Sequence, residues 1–132
     1  MAGAREPRAA ASVILTMAGL DRAKVWREFN QAVNMSASEL TGWLASAESL
    51  KVGYKGSDGK AGESIGHASG RRIVEILHTD RAQLSDEDYA HMRKVVGYVR
   101  RHSAQRPENT VTSRWRYSLM NWGHDPHQGE GA

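Results

Sequence analysis

The chain has no cysteine among its 132 residues. Disulfides, thiolate zinc sites, iron–sulfur clusters and cysteine nucleophiles are therefore excluded. That absence suits a reducing compartment. The expected location is cytoplasmic, at the nucleoid if the source is bacterial. There is also no long apolar run. The stretch from Ala9 to Leu20 is too short for a transmembrane helix, which needs about 20 residues. Ser12, Thr16 and Gly19 dilute it as an export signal. No internal repeat is present, and neither sign of charge dominates. Lys and Arg number 18 against 15 Asp and Glu, a net charge of +3, weaker than a DNA-compacting protein would need. Three catalytic signatures are missing as well: HExxH, GxSxG and GxxxxGK[ST].

What remains is ordinary globular material, 39% apolar and 25% charged, enough to build one core without staples. The expected organisation is an extension over 1–20, one helical domain over 21–126 and a frayed tail over 127–132. Helical periodicity carries this reading. Val25, Phe29 and Val33 form one stripe behind Asp21, with Asn34 and Met35 as a break. Ser36 and Glu39 have capping-box spacing, and Leu40, Trp43, Leu44 and Ala47 follow, predicting a helix to about Leu50. Gly42 lies inside it and suggests close approach of another backbone. Residues 53–62 hold four glycines and read as a loop.

A third helix includes Arg71–His78. Its start is open: Ser64 caps it early, with Ile65 and Ala68 on the core face, or Ser69 caps it late, with Gly70 first. The fourth opens at Ser85 and Asp88, buries Tyr89, Met92, Val96 and Val99, and ends on Arg100, Arg101 and His102, which suit its dipole. Trp115, Leu119 and Trp122 recur at helical spacing before Gly123 and Pro126. A strand over the same residues is the weaker alternative and lacks a partner. The fold class is all-α, a compact bundle of four to five helices with a Trp-rich C-terminal segment.

Several runs are more specific. They are Val33-Asn34-Met35-Ser36, Gly66-His67-Ala68-Ser69-Gly70-Arg71-Arg72-Ile73, Tyr98-Val99-Arg100-Arg101-His102 and the closing Trp115-Arg116-Tyr117-Ser118-Leu119-Met120-Asn121-Trp122-Gly123-His124-Asp125-Pro126. Through these residues the chain resembles a family of small bacterial and fungal proteins catalogued as a domain of unknown function (number thirty-one-forty). Members are often labelled DNA-binding, so the resemblance implies a nucleic-acid partner. It names neither a groove nor a base.

The residues themselves offer two basic sites. Arg71 and Arg72 beside Ser69 and Gly70 make a phosphate clamp if the helix begins there, because amides at a helix start attract anions. Lys94, Arg100, Arg101, Arg106, Arg114 and Arg116 form a second cluster, interleaved with Trp115 and Tyr117, a pattern suited to phosphate contact with base stacking. If that segment is helical, Trp115 turns inward and only the arginines remain. The expected contacts are Ser69, Gly70, Arg71, Arg72, Arg100, Arg101, Arg114 and Arg116. The expected partner is DNA, with RNA open; a protein partner at Trp26 or Trp115 is the second reading.

The first two helices have helix–turn–helix spacing, but the second exposes Ser38, Thr41, Ser46, Glu48 and Ser49, poor equipment for reading bases. Six histidines raise a metal-dependent enzyme as a third reading, without established ligand spacing. Neither metal nor cofactor is expected, and no catalytic residue is assigned.

Overall fold

The computed structural model describes residues 21–52 and 63–128. The expected glycine-rich loop over 53–62 and the extension over 1–20 lie outside the described residues. Among those described there are six α-helices and no strands: α1 (21–32), α2 (Ala37–Leu44), α3 (Ala47–Lys51), α4 (Ile65–Leu77), α5 (Asp86–Ser103) and α6 (Arg114–Asn121). A single 3-10 turn, Arg81–Gln83, separates α4 from α5. No described helix is long and apolar enough to cross a membrane.

Side-chain oxygens at the N-caps set where these helices begin. Ser36 accepts from the Glu39 amide at 3.0 Å while its own amide donates to Glu39 Oε1 at 2.8 Å, opening α2. Ser85 and Asp88 make the same reciprocal box at α5. Ser113 caps α6, so the strand alternative for Trp115–Leu119 falls. The single helix expected from Ser36 to Leu50 is two helices. Ala45 ends α2, and Ser46 caps α3 by accepting from the Ser49 amide at 3.2 Å. A serine there offers the backbone a fresh start, and the helical path bends.

Ser64 caps α4, accepting from the His67 amide at 3.0 Å. The early start is thus the real one, and Ser69 begins nothing. The accompanying expectation for Ile65 is corrected: it is 50% exposed, because it sits in the first turn, facing away from the core.

Val25, Phe29, Leu40, Leu44, Ile73, Met92, Val95, Leu119 and Trp122 belong to one buried cluster to which every helix but α3 contributes. α4 packs tightly because two of its residues lack side chains. A Cβ at Gly70 would lie 2.5 Å from the Asn121 carbonyl oxygen and 2.6 Å from Leu44 Cδ2; one at Gly66 would lie 2.9 Å from Trp122 Nε1. Gly42, by contrast, has nothing within 4 Å of its missing Cβ, so the close approach expected there occurs at Gly70 instead.

The C-terminal end locks the bundle. Gly123 has φ 81°, a conformation open to glycine. Its amide donates to Met120 O and that of His124 to Leu119 O, which closes α6 in a Schellman turn. Gly123 O then accepts from the amides of Asn34 and Met35 at 3.1 and 3.2 Å. Asn34 and Asp125 exchange two bonds, Asn34 Nδ2 to Asp125 O at 2.9 Å and the Asp125 amide to Asn34 Oδ1 at 2.8 Å. His127 and Gln128, expected in the frayed tail, are tied in: His127 to Thr110 Oγ1, and Gln128 to Asn34 O, both at 2.8 Å. Asn121 is fully buried. Its Oδ1 accepts from Trp43 Nε1 at 2.7 Å and from Ser49 Oγ, and its Nδ2 donates to Ser49 O.

Candidate nucleic-acid interface

The eight expected contact residues separate into three groups. Ser69 and Gly70 are buried in the middle of α4. Their amides belong to the helix ladder, so the anion-binding helix start expected there does not exist. The Ser69 hydroxyl instead bonds His91 Nε2 at 2.9 Å.

Four arginines already hold carboxylates. Arg71 grips Glu63 through Nε, at 2.6 Å, and Nη2. Arg72 reaches Asp88 at 2.8 Å, and Arg100 reaches Glu28 at 3.0 Å. Arg116 makes a fork onto Asp125 at 3.0 and 3.1 Å and donates to Val111 O at 2.8 Å. The pairing shows in the carboxyl groups. The Arg71 hydrogen bond draws the Glu63 carboxyl down to about 2, against the opposing effect of burial. Asp88 is lowered by the Ser85 amide and then by Arg72. Burial opposes ionisation of Asp125, but Arg116 and the His127 amide outweigh it and hold that carboxyl below its ordinary range. Arg116 and Asp125 are also mostly covered, at 21% and 12% side-chain exposure, so this pair fastens α6 to the closing turn rather than meeting a ligand.

Arg101 and Arg114 remain. Both are exposed, and neither has a carboxylate partner among the described residues. They stand at one corner of the bundle. Trp115 Nε1 donates to His102 O at 2.7 Å, joining the end of α5 to the start of α6 between the two arginines. Arg106 completes the corner, its guanidinium carbon 5.4 Å from the centre of the Trp115 ring. Arg101 lies back along α5, with Nη1 2.9 Å from where a Cβ on Gly97 would stand, toward exposed Lys94 two turns earlier. Trp115 itself is 8% exposed. Its helix turns it inward, so the expected pattern of stacking aromatic and basic residues reduces to the basic residues.

Behind this corner runs a column of rings that the sequence reading does not anticipate. Arg106 covers Trp115. Trp115 stacks on His102 at 6.4 Å, His102 on Tyr98 at 5.0 Å, Tyr98 on Trp122 at 4.3 Å, and Trp122 on His91 at 6.3 Å. One signal for it is present: His91, Tyr98 and His102 fall at i, i+7, i+11 on α5. Burial lowers the basicity of His102 and His91 and raises the Tyr98 hydroxyl above its ordinary value. Among the described residues, His102 Nε2 is buried without a hydrogen-bond partner.

The remaining histidines are dispersed. His67 bonds Glu63 and Leu44 O, and His124 bonds Ala32 O. Among the described residues no three potential metal ligands gather. Glu63 and Asp125 sit on different arginines, Arg71 and Arg116.

From the second half of α1 to the last turn of α6, residues 28–120, the chain matches one family pattern. It belongs to the family described as Protein of unknown function (DUF3140). The matched stretch of this DUF3140 domain contains Arg101, Arg106 and Arg114, together with Arg71, Arg72, Arg100 and Arg116. It ends just before Asn121, so the closing turn through Pro126 stands beyond it. No curated protein and no solved structure matches the chain.

Proposed function

We propose that this protein binds duplex nucleic acid, DNA first, through its phosphate backbone, using Arg101, Arg106 and Arg114 with Lys94 alongside. One observation carries the reading. Where the other expected arginines hold carboxylates, Arg101, Arg106 and Arg114 stand on the segments that meet where α5 joins α6, without an acidic partner among the described residues. Such groups are free to exchange condensed counterions for phosphates. Backbone contact of this kind orients a protein on the duplex without reading sequence, and the modest net charge of +3 fits a small number of contacts.

The test is binding to a labelled duplex across a salt series. Each phosphate neutralised contributes about 0.9 to the log–log slope, so four cations predict a slope of roughly −3 to −4. Replacing Arg101 and Arg114 together by Ala should flatten that slope by about 2. Arg100→Ala serves as the control, since Glu28 already holds that charge. Undetectable binding at low salt, or an unchanged slope in the double variant, overturns the proposal.

A further inference from the structure

A second site lies away from that corner. The last turn of α2 and the facing side of α4 flank an open cleft of about 290 Å³, lined by Thr41, Leu44, Ala45, His67, Arg71 and Val74. Its walls are mainly hydrocarbon. Arg71 and His67 are the basic groups of its lining, one turn apart on α4. Apolar walls with a few convergent polar groups are the usual make-up of a small-ligand site, and this volume suits a small one.

The chemistry of the two basic groups is already visible. Arg71 and His67 together hold a carboxylate, that of Glu63. His67 is fixed in place from its other side, where Nε2 donates to Leu44 O at 2.7 Å. A guanidinium has five N–H donors, and Glu63 engages only Nε and Nη2. The Nη1 edge of Arg71 has no acceptor among the described residues, and the side chain is 63% exposed.

We propose that this cleft binds a small organic carboxylate with a short branched or aromatic apolar body. The carboxylate takes the Nη1 edge of Arg71, and the body lies against Leu44, Ala45 and Val74. Glu63 sets the strength of binding. Its charge shares the same guanidinium, so it repels an incoming anion and limits the site to weak, reversible occupancy. No bond is made or broken.

The experiment is a titration of the full chain with isovalerate, followed by backbone amide NMR, with isovaleramide as the uncharged isostere. Saturable shifts confined to residues 41–45 and 67–74, with isovalerate and not with the amide, are expected. Arg71→Met removes the charge-assisted hydrogen bond, so affinity should fall about tenfold. Glu63→Gln should tighten binding by several-fold, and it reports independently should the Met variant lose its fold. Three results each overturn the proposal: no saturable shift up to the solubility of isovalerate, equal shifts with the amide, or a Glu63→Gln chain that binds no tighter. None of them bears on the duplex-binding corner.

Discussion

Replacing Gly70 by alanine places one methyl group where the fold has no room. Its Cβ would stand 2.5 Å from the Asn121 carbonyl oxygen and 2.6 Å from Leu44 Cδ2. Leu44 can rotate aside; a carbonyl in the last turn of α6 cannot, because the turn that follows is pinned to Asn34 and Met35. Overpacking costs about 1–3 kcal/mol, and a fixed backbone atom at 2.5 Å puts this case in the upper half, about 2–3 kcal/mol. Against it stands the gain in helix propensity, about 0.8–1.0 kcal/mol for Gly to Ala. The net expectation is a loss of roughly 1–2 kcal/mol, or a fall of roughly 3–10 °C in Tm for a domain of this size. Gly42→Ala is the matched control. It is also a helical glycine, but it is exposed with nothing within 4 Å, so only the propensity gain remains, up to about 1 kcal/mol of added stability. Urea unfolding followed by far-ultraviolet circular dichroism measures both. Opposite signs are required. A Gly70→Ala protein as stable as the parent would mean that α4 does not approach α6 as closely as described.

Other expectations follow from the buried polar groups. Asn121→Leu leaves Trp43 Nε1 and Ser49 without their partner, and at about 1–3 kcal/mol for each of the two it should cost roughly 2–6 kcal/mol in the same urea assay; a loss below about 1 kcal/mol would remove Asn121 from its role. Glu63, Asp88 and Asp125 all have lowered folded pKa values. Their contribution is therefore complete above the ordinary carboxylate range of about 4 and is lost as pH falls through the folded values, about 2 for Glu63. Burial lowers the folded pKa of His91 and His102, so Tm should begin to fall as pH drops below the ordinary histidine value of about 6.5 and fall again below about 4. The second fall should be less steep in Glu63→Gln; a Tm flat down to about pH 5 would refute the burial of the two histidines. Asp125→Asn should loosen Arg116 and with it the anchoring of α6 to the closing turn, seen as faster amide exchange at residues 114–128 than in α5.

The starts of the helices were readable because their signals are local. Ser36 with Glu39, and Ser85 with Asp88, each act over three residues. Ser46 obeys the same rule, but it sits inside an unbroken apolar stripe that masks the restart at Ala47. The start of α4 turns on Ser64 rather than Ser69, and that choice decides whether Ser69 and Gly70 present free amides; local pattern alone left both open. The candidate interface was less legible for a different reason. Whether an arginine is available depends on where carboxylates arrive. Arg100 meets Glu28 from 72 positions away, and Arg72 meets Asp88 from 16. Clustering along the chain therefore counts cations that space has already neutralised. The glycines of α4 are legible only in hindsight, as a pair at i, i+4 facing the last helix.

The bonds between Asn34 and Asp125 also have a consequence for synthesis. α1 and α2 leave the ribosome early, but the residues that close over them come 91 positions later. At about 5–20 residues per second that interval lasts roughly 5–18 s. During it, Phe29, Leu40 and Trp43 have no α6 to pack against, and the Asn34 and Met35 amides have no Gly123 carbonyl. A nascent chain of this protein thus carries an open apolar face from the emergence of α2 until the turn through Gly123 and Asp125 is made. Any factor that shields emerging chains meets this one in its most adhesive state, and the speed at which α6 and its closing turn are delivered governs how long that state persists.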